Sequence, residues 1–99
     1  MSVCWAGMPT FLVDRDLPGV SRDQFRAAQR AAINAARMAT AGGSAVRYIR
    51  GVFVPSEGRA VCLFEAPDAE SVRAVNVAAG VAFTHVAEAI ELDGPDRHE

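Results

Sequence analysis

The chain contains no lysine: all ten basic side chains among its 99 residues are arginines. Twelve acidic residues leave a formal net charge of −2. No basic run appears anywhere, which argues against nucleic acid and against an anionic membrane surface as partners. Cysteine is scarce, and Cys4 and Cys62 are too few for a disulfide framework. They read as reduced thiols in a cytosol. No apolar run approaches the ~20 residues of a membrane span. The opening MSVCWAG also lacks the basic flank and long apolar core of a signal peptide. The expected location is therefore the cytoplasm. Dinucleotide and P-loop fingerprints, CxxC, HExxH and GxSxG are all missing, so no strong catalytic signature guides the reading.

What the chain does have is apolar residues, at 51% of the total. Alanine supplies much of that fraction and buries little area per residue. A domain of this length has a thin core and leaves much apolar surface wet. Association with a second copy would relieve that.

Periodicity divides the chain into six elements. PTFLVDRD is a strand with Phe11 and Val13 on one side and Thr10, Leu12 and Asp14 on the other. Ser21 and Gln24 have capping-box spacing, so a helix starts at Ser21 and runs to about Ala39. Its buried stripe is Phe25, Ala28, Ala32, Ile33 and Ala36. Residues 45–54 and 59–66 are rich in β-formers, and PSEG joins them as a hairpin. In the first of these, simple alternation sets Arg47, Ile49, Gly51 and Phe53 against Val46, Tyr48, Val52 and Val54. Pro67 fits the first turn of a second helix ending at Gly80, with Val72, Val75 and Ala79 facing inward. Residues 84–92 form the last strand. Residues 1–7 read as an N-terminal extension, 8–93 as the domain and 94–99 as a polar tail.

The order β-α-β-β-α-β is that of an α+β ferredoxin-like domain: a four-stranded antiparallel sheet, order 4-1-3-2, with two helices on one face. The hairpin is apolar on both sides, whereas a sheet wet on one face alternates cleanly. A second copy packed sheet against sheet is the simplest cover, giving a homodimeric α+β barrel.

This topology gathers Asp14, Arg15 and Asp16 near Thr84 and His85, at the rim that also carries Glu57, Arg59 and the end of the second helix near Asn76. Asp14, Asp16 and His85 are candidate ligands for a divalent transition metal, because mixed carboxylate and imidazole donors suit nickel, zinc or cobalt. Each also has a plain alternative, as a solvated strand end or a surface histidine. Asn76 is unusual inside a helix, where asparagine has poor propensity. With Tyr48 it is the candidate for a ligand pocket, though Tyr48 also reads as a core or dimer contact.

The phrases MPTFLVDRDLPGVS and VCLFEAPDAESVRAV, the latter followed by Ala79-Gly80, carry a resemblance. They resemble a small bacterial family of domains of unknown function described as nickel-binding, ferredoxin-like proteins. The resemblance covers about residues 8–92 and rests on M-P-x-F-x-V-x-R-x-x-P-G and C-x-x-E-A-P-D-x-x-x-V-R. It implies a ferredoxin-like homodimer and Ni²⁺ or another divalent transition metal as ligand. Members of that family tend to carry a histidine just before the position of Asn76. Here that place is Val75, and losing an imidazole removes a good nickel-type ligand.

These observations favour a small cytosolic dimer that binds a transition metal weakly. The alternatives are a cofactor-independent enzyme of cyclase, isomerase or monooxygenase type acting on a small apolar substrate, with His85 or Asp14 as general base, or a purely structural or regulatory dimer. An apolar cleft with Asn76 and His85 pointing inward would favour the enzyme. An exposed carboxylate–imidazole cluster would favour the metal.

Overall fold

Strand β1, Thr10–Asp16, buries every second side chain: Phe11, Val13 and Arg15 face one way. The computed structural model describes residues 7–92 together with Gly94 and Pro95. Helix α1, Arg22–Ala41, begins at the expected capping box: the Ser21 hydroxyl accepts from the Gln24 amide at 3.1 Å, and the Gln24 side chain accepts from Ser21 N–H at 2.8 Å. Strand β2, Arg47–Val54, passes through a single 3₁₀ turn, Pro55–Glu57, into β3, Arg59–Glu65. Helix α2, Ala69–Ala79, and strand β4, His85–Ala89, complete the domain. Pro67 lies outside α2, because Asp68 takes the N-cap and accepts from Ser71 N–H at 2.8 Å. The expected boundaries of the extension and the tail fall largely on residues 1–6, 93 and 96–99, outside the described residues.

The sheet order is β2-β3-β1-β4 and every pairing is antiparallel. This is the ferredoxin-like arrangement, with both helices on one face. Phe11, Val13, Cys62, Phe64 and Val86 meet Phe25, Ala32, Ala36, Val72 and Val75 in the core. Phe64 is completely buried, and sequestering a side chain of that size contributes about 2 kcal/mol.

The expected alternation of β2 is corrected by a bulge. Tyr48 pairs with Phe64, but the next partner of the β3 residue Leu63 is Arg50, so Ile49 is an extra residue. Such an insertion reverses the side-chain phase beyond it. Tyr48, Gly51 and Phe53 therefore share the helix-covered face, and Arg47, Arg50, Val52 and Val54 share the other. On the core side, Phe53 stacks on Phe25 with ring centroids 4.9 Å apart, and Tyr48 meets Phe64 edge-on at 5.0 Å.

Among the described residues, no helix or second sheet covers the opposite face of the sheet. Leu12, Leu63 and Ala87 align across three strands, next to Val61 and Val52. Val52 is 53% exposed. Around this apolar centre stand the ion pairs Arg47–Glu65, Arg50–Glu91 and Arg59–Asp14.

Candidate functional site

Two polar groups lie back to back on the end of β1. On the open face are Asp14 and Asp16. On the core face, between them in sequence, is Arg15.

Asp14 is the direct cross-strand partner of His85, and Thr84 N–H donates to the Asp14 carbonyl at 2.8 Å. The sequence expectation that Asp14 and His85 meet is therefore realised. Asp16 lies one pleat further along the same face and is paired with Arg59. Arg59 approaches from β3, on the other side of β1 from His85. Its guanidinium is 3.9 Å from an Asp14 carboxylate oxygen and 3.5 Å from one of Glu57. Asp14, Asp16, Arg15, Arg59 and Thr84 line a cavity of about 400 Å³ at this rim. Among the described residues, no group of three or more His, Cys, Asp or Glu side chains is placed to hold a metal ion. Asp14, Asp16 and His85 are thus neighbours without forming a finished chelate. Of the two carboxylates, Asp14 is the one with the Arg59 guanidinium within 4 Å.

Beneath the rim, Arg15 is only 3% exposed, and no carboxylate among the described residues pairs with it. A buried charge costs several kcal/mol unless its donors are satisfied. Here Nε donates to Cys62 Sγ at 3.5 Å, Nη1 to the Ala82 carbonyl at 3.2 Å and Nη2 to Asn76 Oδ1. Asn76 is fully buried, and its Nδ2 donates to the Val72 carbonyl at 2.8 Å. That explains an asparagine in mid-helix: it presents a carbonyl to a guanidinium and returns its own amide to the helix backbone. The Tyr48 hydroxyl donates to Cys62 Sγ at 3.2 Å and accepts from Gln29 Nε2 at 3.1 Å. Gln29, Tyr48, Cys62, Arg15 and Asn76 form one chain of hydrogen bonds through the core, tying α1, β2, β3, β1 and α2 together. No buried side-chain nitrogen or oxygen among the described residues lacks a partner. Burial, and then the hydrogen bond to Cys62, push the Tyr48 phenol above its ordinary range.

Tyr48 and Asn76, expected to line one ligand pocket, are joined through this network instead. Tyr48 borders a cavity of about 340 Å³ with Ile33, Ala36, Thr40 and Val46. Asn76 is closed off from solvent. Val75, where the resemblance implies a histidine, lines a different cavity, of about 580 Å³, in the groove between α1 and α2. That groove is walled by Ala31, Ala35, Ala39, Ala74 and Ala78 and does not include the rim residues. An imidazole at 75 would therefore not complete a set with Asp14 and His85. Sequence reading placed Arg15 on the rim and overlooked its burial. The signal was present, since Phe11, Val13 and Arg15 share the period of two that puts them on one face.

The fold and the rim define a class: a single α+β domain of ferredoxin-like topology, with an uncovered sheet face and a carboxylate–imidazole edge. The chain belongs to the family described as "Nickel responsive protein SCO4226-like", which it matches over residues 11–89. It is similar to the crystal structure of SCO4226 from Streptomyces coelicolor A3(2), with 26% sequence identity and a TM-score of 0.68. That similarity covers 86% of this chain and 99% of the other. A search of curated proteins finds no match. No helix among the described residues is long and apolar enough to cross a membrane.

Proposed function

We propose that this protein is a cytoplasmic homodimer that binds a nickel-type divalent ion weakly at the rim of its open sheet face. The observation that carries the reading is the placement of His85 directly opposite Asp14, with Asp16 on the same face, in a chain of a nickel-responsive family. One imidazole and two carboxylates fit nickel, zinc or cobalt in kind. As they stand they do not enclose an ion. Fewer than three converging protein donors leave water in the remaining positions, and affinity in the micromolar range or weaker follows from that ligand number and type.

The dimer rests on the sheet. An apolar centre ringed by charged pairs has the anatomy of a protein interface, and a two-fold axis lets the same patch serve both partners. With the sheets face to face, the rim of each chain lies at the edge of the interface.

Native mass spectrometry with and without added Ni²⁺ tests both parts together. A dimer that takes up the ion, with uptake lost in Asp14→Asn and in His85→Ala, is the expected result. A monomer at micromolar concentration overturns the dimer, and uptake unchanged in His85→Ala overturns the site. One observation favours a second reading. The alanine-walled groove of about 580 Å³ between the helices has the size and apolar lining of a small-molecule site. A copurifying apolar compound in the same spectrum would support a small-ligand protein, with the groove as its pocket.

A further inference from the structure

We propose that the cavity between the start of α1 and strand β2 binds a small organic anion, a carboxylate carried on a flat aromatic ring. The site is separate from the rim and does not depend on the metal reading.

This cavity has a volume of about 310 Å³, within the range of small-ligand sites. Phe25, Phe53 and Pro55 build its apolar wall. The two rings stack with centroids 4.9 Å apart and an interplanar angle of 11°, which gives a rigid surface suited to another flat ring. Gly51 lies in the same wall without a side chain. A Cβ there would stand 3.2 Å from Phe25 Cζ and 3.4 Å from Gln29 Nε2, two groups that line the cavity. The missing side chain is therefore space that the cavity keeps.

Two guanidinium groups border this space, Arg22 and Arg26. They stand one turn apart on α1, about 6 Å along its axis, and like charges at that spacing disfavour a helix. Among the described residues neither forms an ion pair, Asp23 included. No acidic residue lines the cavity. The rim is different, because Asp14 and Asp16 line it together with its two arginines. The helix groove is different again, because its lining carries no charge.

Arg26 is also held in place. Its Nη1 donates to Gln29 Oε1 at 2.9 Å, Gln29 Nε2 donates to the Tyr48 hydroxyl at 3.1 Å, and that hydroxyl donates to Cys62 Sγ at 3.2 Å. Gln29 is thus a positioning residue that ties the guanidinium to the core. Nε and Nη2 have no protein partner among the described residues. They are the side of the fork that can take a carboxylate through two parallel hydrogen bonds. Arg22 supplies the second positive charge. A small inorganic anion would satisfy the arginines and leave the aromatic wall wet. An aromatic acid covers both.

The test is calorimetric titration of metal-stripped, full-length protein with naphthoate, with its uncharged amide, and with acetate and inorganic phosphate. Naphthoate is expected to bind. The amide should bind at least roughly tenfold more weakly, the worth of a charge-assisted contact, and acetate and phosphate should give no signal. The Arg22→Gln/Arg26→Gln variant should lose naphthoate by a similar factor. Both side chains are exposed, so its melting temperature should match the wild type. The comparison of acid with amide on the wild type stands even if the variant is impaired. Equal affinity for acid and amide overturns the proposal, as does naphthoate binding that survives in a folded variant; either result places the probe in the uncharged helix groove. Phosphate or acetate binding as well as naphthoate overturns the aromatic part, and no naphthoate binding overturns the whole.

Discussion

Gly51→Ala is a one-methyl change whose cost the structure sets out atom by atom. Gly51 lies on the core face of β2, opposite Cys62. An added Cβ would stand 2.6 Å from the Tyr48 hydroxyl, 3.2 Å from Phe25 Cζ and 3.4 Å from Gln29 Nε2. The last two contacts yield to shifts of a few tenths of an ångström. The first does not, because the hydroxyl is held by Cys62 at 3.2 Å and Gln29 at 3.1 Å. Moving it breaks or stretches two hydrogen bonds worth about 1 kcal/mol each. Replacing a strand glycine by alanine returns about 0.5 kcal/mol of backbone entropy, and overpacking adds about 1 kcal/mol. The net loss is about 2 kcal/mol, or roughly 10 °C in Tm for a domain of this size. Urea unfolding at fixed protein concentration measures it. The decisive comparison is the double-mutant cycle with Tyr48→Phe, which removes the obstructing oxygen. In that background Gly51→Ala should cost close to nothing, giving a coupling of about 2 kcal/mol. Additivity within about 0.5 kcal/mol, or a neutral single variant, would refute the reasoning.

Three further outcomes are expected. Tyr48 is the only tyrosine, so phenolate absorbance near 295 nm reports it alone. Its raised folded pKa means that the stabilisation is complete below the ordinary phenol value and is lost as pH rises above about 10; ionisation should therefore coincide with unfolding, and Tyr48→Phe should flatten the alkaline loss of stability. Val52→Glu puts a charge on the open face, on edge strand β2, while leaving the core intact, so light scattering should show a folded monomer for the variant and, under the proposed assembly, a dimer for the wild type; a wild-type monomer would refute the sheet-to-sheet assembly. Val75→His places an imidazole in the helix groove and not at the rim. It should destabilise by about 1–3 kcal/mol as a buried polar group without strengthening rim-dependent Ni²⁺ binding, and a gain lost in His85→Ala would show the two places to be connected.

The amino-acid order by itself determined the architecture. Ser21 and Gln24 fixed the start of α1 through bonds local to one turn. The period of two in β1, and the Gly58 turn between two β-rich runs, fixed the strands and their antiparallel pairing. From these the split βαβ order, the sheet sequence and the meeting of Asp14 with His85 all follow, because topology alone decides which strand ends share a rim. Local chemistry is legible wherever its partners are a few residues away.

Tertiary structure decided everything that depended on which side a side chain faced or on what else stood nearby. The Ile49 bulge brought Gly51 and Phe53 onto the same core face as Tyr48, and periodicity could not announce it, since an inserted residue leaves composition unchanged. Asn76 became the carbonyl for a buried guanidinium 61 positions away, a pairing no local pattern encodes. Val75, adjacent to it in sequence, turned into the helix groove, because successive helical positions diverge by about 100°. Arg59, one more arginine in a lysine-free chain, came to lie opposite Asp16 and beside Asp14 only when β3 paired with β1. Donor types can be read from a sequence. Whether they stand free or already neutralised is settled by charges that the fold brings in from elsewhere.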